Sequence, residues 1–497
     1  MTTIDTPAGA DAGAGWTADD VRRVGHRVAE MVAAYLAALP DGPVFHPVPP
    51  ELVREMRGTP APREGTPVDA LLDEWERTIA AYPFGNGHPR WYGWVNSPPA
   101  PVSVFAEALA AAMNPSVAGG NHAAVHLEHQ VAGWLKEMLG FPRGAMGMFV
   151  SGGSAGALTG LAVARHVAAR KLDWDVRRDG MRGFPAPLAV YAAAESHGCN
   201  QKACEILGLG SAAIRPVPLD AALRMDAAAL DAMIADDAAA GRVPIAVVAS
   251  AGTVNTGAID PLDAIADVCA RHGVWMHVDA AYGGPAILTE RYREALAPLA
   301  RADSVALDPH KWMYVPVEAG FVLVRDAAAA RDAFSLVPPY LRVDGGEEGV
   351  QGPPWFSEFG VQQTRGFRAL KAWMAIRHHG LDGYCRMIGH DLALADHLAG
   401  RISSQPAMEL LEPRGLSVVC FRCAPAGRRG DGAALDALNR AVLAEVQLGG
   451  RAFITGTVVR GVFWLRACII NHRATEADVD AMVDAVLDAA ARAGGPE

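Results

Sequence analysis

Between about residue 100 and residue 371 the chain alternates two hydrophobic rhythms. Stretches with apolar residues at helical spacing are separated by short unbroken apolar runs at 148–150, 188–191, 245–249, 274–278, 305–307 and 320–324. Runs this short, bounded by Gly, Pro and Asp, read as buried strands. Strands alternating with helices predict an α/β fold in which a mostly parallel sheet is wrapped by helices. After residue 372 the rhythm changes: a long helical stretch leads into strand-like runs at 417–422 and 463–470, and a helix is expected over 475–492. Residues 372–497 therefore read as a smaller C-terminal α+β domain beside a large domain at 100–371.

The segment before residue 100 has a different character. Thr17 caps a helix whose first turn carries Asp19 and Asp20, and Val21, Val24, Val28, Met31, Val32 and Tyr35 then recur on one face. A proline-rich connector over 40–50 follows, and Thr66-Pro67 opens a second amphipathic helix through Leu71, Leu72, Trp75 and Ile79. Two such helices on an extended connector have no core of their own. Residues 17–99 are thus expected to be a helical segment that packs against another surface.

Composition narrows the class. The 497 residues are 51% hydrophobic and 20% charged, enough for a substantial core. A net charge of −11 leaves no broad basic field for nucleic acid or anionic lipid. Seven cysteines without a repeated spacing suggest neither a disulfide framework nor a zinc ribbon, and they fit a reducing cytoplasm. The one Cys-x-x-Cys, Cys420 and Cys423, lies in a strand-like run, where odd separation puts the sulfurs on opposite faces. Residues 1–16 lack the basic start and apolar core of a signal peptide and read as a disordered tail. No apolar run reaches membrane-spanning length, so a soluble protein is expected.

The chemistry concentrates at strand ends. The stretch Ser304-Val-Ala-Leu-Asp308-Pro-His310-Lys311-Trp312 is an apolar run stopped by Pro309, so Lys311 projects where open α/β sheets bind ligands. Flanked by His310, Trp312 and Met313, its amine is expected to be partly desolvated and lowered in pKa, a Schiff-base candidate; the alternative is a surface lysine in a loop. Upstream, Asp279 closes the apolar run 274–278 in His277-Val-Asp279-Ala-Ala281-Tyr282. A lone carboxylate at an apolar strand end calls for a cation. The protonated ring nitrogen of pyridoxal phosphate is such a cation, and it needs an anionic partner if the ring is to accept electrons.

Two further signals bear on this. Ser151-Gly152-Gly153-Ser154 joins a strand-like run to a helical one, a turn whose backbone amides can hold phosphate. It lacks the dinucleotide fingerprint and the Walker lysine. His122, His126 and His129 fall at i, i+4 and i+7, one face of a helix, which raises the question of a metal. The His-Glu-x-x-His signature is absent, and no metal is expected.

The Asp308-Pro-His-Lys311-Trp and His277-Val-Asp279-Ala-Ala281-Tyr segments together resemble the pyridoxal-phosphate-dependent group II amino acid decarboxylases. These are the family of aromatic L-amino acid and glutamate decarboxylases, and the resemblance runs from about Pro83 to the C-terminus. It implies a fold-type-I transferase-like architecture and a homodimer with shared active sites, completed by the N-terminal segment. It further implies that Lys311 holds pyridoxal 5′-phosphate, that Asp279 pairs with the ring nitrogen, and that Gly153 and Ser154 hold the phosphate. His197 would stack on the ring opposite Ala281, and His310 would stand near the lysine and phosphate. Thr253 or Asn255 is expected to supply a polar contact, because Val254 stands where the family often has a hydroxyl residue. Trp94, Val95, Asn96 and Ser97 resemble the family's pocket wall, while Asn114 and Ser116 stand where aromatic-specific members place bulkier residues from the other subunit. Tyr340 matches the loop tyrosine that delivers a proton, so amine is the expected product. An aromatic L-amino acid is the first expectation for the substrate. Alternatives are a branched aliphatic or hydroxylated amino acid, an aldehyde synthase, and a catalytically silent pyridoxal-binding protein.

Overall fold

The computed structural model describes residues 15–336, 349–428 and 430–494. Its first helix, α1 (Ala18–Ala38), begins at Thr17 through a reciprocal cap. The Thr17 hydroxyl accepts from the Asp20 amide at 3.1 Å and the Asp20 carboxylate accepts from the Thr17 amide at 3.0 Å, so two otherwise unpaired donors are satisfied reciprocally. Helix α2 (Pro50–Gly58) starts at the last proline of the connector, and α3 (Val68–Glu74) runs on into a π-helical turn at Trp75–Ala80. None of the residues of α1, α2 or α3 is buried. Arg23 and Arg27 on α1 reach Asp69 and Asp73 on α3, and the Tyr35 ring meets Trp75 edge-on, while Val21, Val28 and Leu71 stay exposed.

Helices α4 (Pro101–Met113) and α5 (Ala123–Met138) lead into a seven-stranded sheet. Its strands are β1 (Met146–Val150), β2 (Leu188–Ala193), β3 (Ile214–Val217), β4 (Val243–Ser250), β5 (Trp275–Asp279), β6 (Ser304–Leu307) and β7 (Gly320–Val324). They lie in the order β1-β7-β6-β5-β4-β2-β3. The β3–β2–β4–β5–β6 pairs are parallel, and β7 is antiparallel to both β6 and β1. The connection from β6 to β7 contains no crossover helix, and a parallel return requires one. Because β1 opposes β7, it runs in the same direction as β6, so six of the seven strands end at one edge of the sheet.

The six strand-like runs of the sequence all appear, within a few residues. Strand β3 was not visible in the apolar pattern: it is a four-residue edge strand with Pro216 inside it, and Pro ordinarily demotes such a run.

The long helix Ala369–Ser403 then leads to a four-stranded antiparallel sheet, β8 (Met408–Leu410), β9 (Val418–Cys423), β10 (Thr455–Val459) and β11 (Val462–Cys468), in the order β10-β11-β9-β8. Helix Glu476–Gly494 packs over it. On β9 the side chains of Cys420 and Cys423 enter different apolar cores, on opposite faces as their spacing requires. The fold is the fold-type-I α/β architecture with a smaller α+β part. No helix of the described residues is long and apolar enough to cross a membrane.

Candidate active site

The six parallel strand ends bring the expected residues to one edge of the large sheet. At the end of β1, Val150 passes into Ser151 and Gly152, and a helix α6 (Gly153–Arg170) begins without any side-chain cap. Ala155 and Gly156 already donate to the Gly152 carbonyl, which leaves the Gly153 and Ser154 amides for a ligand or water, the geometry of an anion cradle. Glycine is required here by space. A Cβ on Gly153 would come within 3.1 Å of both the Ala281 methyl and Asp308 Oδ2, and a Cβ on Gly320 in β7 would overlap the backbone of Gly152. The strand behind the cradle is fixed by a buried ion pair: Arg365 bonds Glu128, the Phe149 carbonyl and the Val117 carbonyl, while Glu128 accepts from the Phe149 amide.

Lys311 stands in the turn after β6. Its Nζ lies 3.0 Å from Asp308 Oδ2, and the His310 Nε2 is 3.7 Å from the same oxygen. Burial pulls the Lys311 pKa down, but the carboxylates of Asp308 and then Asp279 outweigh it, so the net shift is upward. This corrects the sequence expectation of a depressed amine, which counted desolvation and not the buried carboxylate three residues earlier. His310 is itself lowered, chiefly by burial, and its Nδ1 accepts from the Ala319 amide at 3.1 Å. Asp279 ends β5, with Oδ1 accepting from the Ala281 amide at 3.1 Å.

His197 lies in the turn after β2, exposed, with Nδ1 accepting from the Cys199 amide at 3.1 Å. Cys199, which the sequence reading passed over, is buried beside Ser154, Asp279 and Lys311, and burial first and Asp279 second push its thiol up to about 12. After β4, the Thr253 and Thr256 hydroxyls bond each other at 3.0 Å, and the Asn255 side chain is divided between Glu195 and Thr457. Both polar side chains expected to reach a cofactor are thus engaged within the protein.

The pocket-wall segment is tied to the lysine turn, since the Ser97 hydroxyl donates to the His310 carbonyl at 3.3 Å. Val95 is buried and Asn96 half-buried. Trp94 has a positive φ of 45° and 47% exposure, and stacks on Phe84 with centroids 5.4 Å apart. Its carbonyl is held by Arg466, which also bonds the Val254 and Asn255 carbonyls. Arg466 is a buried guanidinium whose Nη2 has no partner, and no sequence signal singled it out within β11. Asn114 caps α4 in the left-handed region, and it and Ser116 are exposed. Tyr340 lies outside the described residues.

The three histidines do not share one helical face. His122 is the N-cap of α5, His126 bonds Asn121, and His129 stacks on Phe356 at 4.5 Å, where burial lowers its pKa to about 4. Among the described residues no group of three His, Cys, Asp or Glu is placed to hold a metal.

An uncapped helix N-terminus, a lysine, and a carboxylate at a neighbouring strand end fit the phosphate, aldehyde and ring nitrogen of pyridoxal phosphate. The orphaned buried Asp308 Oδ1 marks a polar atom still open to a donor in this place. Residues 50–424 match the family model for the pyridoxal-dependent decarboxylase conserved domain. The chain belongs to this family and is a pyridoxal-phosphate-dependent amino acid decarboxylase. It is 31% identical to an aromatic-L-amino-acid decarboxylase of Bacillus atrophaeus, over 92% of this chain and 93% of that one. A phenylacetaldehyde synthase of a Rosa hybrid cultivar is 28% identical, over 92% and 91% of the two chains. The crystal structure of Oryza sativa TDC with PLP and tryptamine superposes with a TM-score of 0.88 at 29% identity, covering 96% of this chain and 98% of that one.

Proposed function

We propose that the protein removes the α-carboxylate of an aromatic L-amino acid, releasing carbon dioxide and the amine, as a cytoplasmic homodimer with shared active sites. The observation that carries the site assignment is the convergence of Lys311, Asp279 and the start of α6 at adjacent strand ends. Bound pyridoxal phosphate supplies the aldehyde that condenses with an amine and the electron-accepting ring. Lys311 holds it, Asp279 keeps the ring nitrogen protonated, and the amides of Gly153 and Ser154 hold the phosphate. His197 would lie against the cofactor ring, and Ala281, lacking bulk, would leave room for it. Tyr340 delivers the proton to the substrate's α-carbon after carbon dioxide leaves.

The aromatic preference rests on Trp94, an exposed ring in a strained backbone position, braced by Phe84 and by Arg466. Such a ring offers a stacking wall to an aromatic side chain. The relatives point the same way, one being an aromatic-L-amino-acid decarboxylase and another a structure holding tryptamine. Screening the proteinogenic amino acids and dopa for carbon dioxide release tests this, and a strong preference for glutamate or a diamino acid overturns it. The rose relative keeps a second reading open, an aldehyde product, which Tyr340 argues against.

Dimerisation is supported by the helices α1, α2 and α3, which have no fully buried residue within the chain and leave Val21, Val28, Met56 and Leu71 exposed, and by α4, where Phe105, Leu109 and Met113 form one exposed apolar row.

A further inference from the structure

Asp391, in the middle of helix Ala369–Ser403, is fully buried, and no Lys, Arg or His among the described residues forms an ion pair with it. A buried carboxylate without a cation is costly unless donors surround it. Its donors come from two places. Oδ2 accepts from Trp312 Nε1 at 2.8 Å and from the Tyr314 hydroxyl at 2.5 Å, while Oδ1 accepts from the Asn471 amide at 3.2 Å. Trp312 and Tyr314 belong to the turn that carries Lys311, and Asn471 belongs to the loop after β11.

The rest of that turn shows what the carboxylate holds. Tyr314 sits at φ 55°, a left-handed conformation that a tyrosine adopts only when its surroundings fix it. Its amide bonds the Lys311 carbonyl at 3.2 Å, and its own carbonyl accepts from Ala100 at 2.7 Å. The Trp312 ring stacks on Tyr282 at 5.0 Å and 18°, and the Tyr282 hydroxyl bonds Ser417 on the small domain. Tyr282 follows Asp279 by three residues. The two residues that flank Lys311 on its far side thus share a single oxygen of Asp391, and one of them also packs on the segment that carries Asp279.

We infer that Asp391 is a positioning residue for the decarboxylase reaction: by holding Trp312 and Tyr314 it sets the direction in which the Lys311 amine leaves its turn. Burying this carboxylate without a cation is costly where apolar packing could have filled the space, and the donors it gathers are those beside the lysine. Burial raises its pKa to about 7 against the bonds from Tyr314, Trp312 and Asn471. The titratable groups that face it are Tyr314 from the lysine turn, His390 from its own helix, Tyr92, and Cys468 at the end of β11. None is a permanent cation.

The test uses full-length enzyme carrying its cofactor, in the variants Asp391→Asn and Trp312→Phe. Asparagine keeps the shape and one acceptor oxygen but turns an NH2 toward donors; phenylalanine removes the Nε1 hydrogen bond together with part of the buried indole that stacks on Tyr282. For Asp391→Asn we expect kcat per bound cofactor to fall about tenfold or more while KM stays within about twofold. The pH midpoint of the absorbance change of the lysine-bound cofactor should move by about half a unit or more, and Trp312→Phe should shift the same two quantities in the same direction, by less. A lowered melting temperature with kcat per bound cofactor and absorbance midpoint both unchanged overturns the inference, leaving Asp391 as a brace alone. If Asp391→Asn does not fold, Trp312→Phe decides, and parent values of both quantities in that variant overturn it equally.

Discussion

The amine of Lys311 lies 3.0 Å from the carboxylate of Asp308, three residues earlier in the same turn. Asp308 is buried, and it supplies the largest upward pull on the lysine. A charged amine does not attack an aldehyde, so cofactor capture by protein stripped of pyridoxal phosphate should accelerate about tenfold per pH unit below the lysine's titration. Asp308→Asn should move that curve to lower pH, which stopped-flow absorbance can follow. Borohydride reduction and peptide mapping should then find the pyridoxyl group on Lys311; its recovery on another lysine would refute the assignment.

Asp279 ends β5 with one oxygen on the Ala281 amide, and its proposed role is to pair with the ring nitrogen. Asp279→Ala should retain cofactor measurable by absorbance and lose about a hundredfold or more in turnover, because the electron sink then lacks its anionic partner. Near-parent rates would remove Asp279 from the reaction.

The proton donor proposed above, Tyr340, can be tested through the product. With Tyr340→Phe the variant should bind cofactor and release carbon dioxide, but yield aldehyde, ammonia and peroxide in place of amine. Quantifying all four products checks this. Amine alone at the parent rate would show that the proton comes from elsewhere.

The fully buried His277 bonds Ser304 through Nδ1 and leaves Nε2 without a partner, and burial lowers its pKa to about 4. Its folded value is below its unfolded value of 6.5. The stability it contributes is therefore present above pH 6.5 and is lost as pH falls toward 4, by up to about 3 kcal/mol. Denaturant unfolding between these pH values should show the parent losing that much relative to His277→Asn. Parallel pH profiles for the two proteins would mean that His277 titrates normally.

The assembly prediction concerns Leu109, central in the apolar row of α4. Light scattering should give about twice the 52.3 kDa of one chain. Leu109→Asp should shift the protein toward monomer and lower activity in proportion. A fully active monomer would place the whole site within one chain.

The sequence carried the sheet well because each of its buried strands is an apolar run closed by a turn residue. Lys311, Asp279 and Gly153 were legible for the same reason, since they sit where such runs stop. Asp308 was in view but misjudged: the apolar run before it suggested desolvation of the lysine, and only the folded turn shows the carboxylate facing the amine. Thr253 and Asn255 were read by type, and type does not reveal that Thr256, Glu195 and Thr457 already occupy their polar atoms. Arg466 and Asp391 were beyond reach, because each acts between segments far apart in the chain, and nothing local distinguishes them from surface charges.

One contact has a practical bearing. Gly320 and Gly152 meet backbone to backbone, so the spacing between β7 and β1 is also the height at which the anion cradle is set. In a deep mutational scan for activity, position 320 should tolerate no side chain at all, and its intolerance should be the same whichever amino acid is supplied. A map drawn from such a scan would colour Gly320 as a ligand contact, although what a side chain there would strike is the backbone of Gly152.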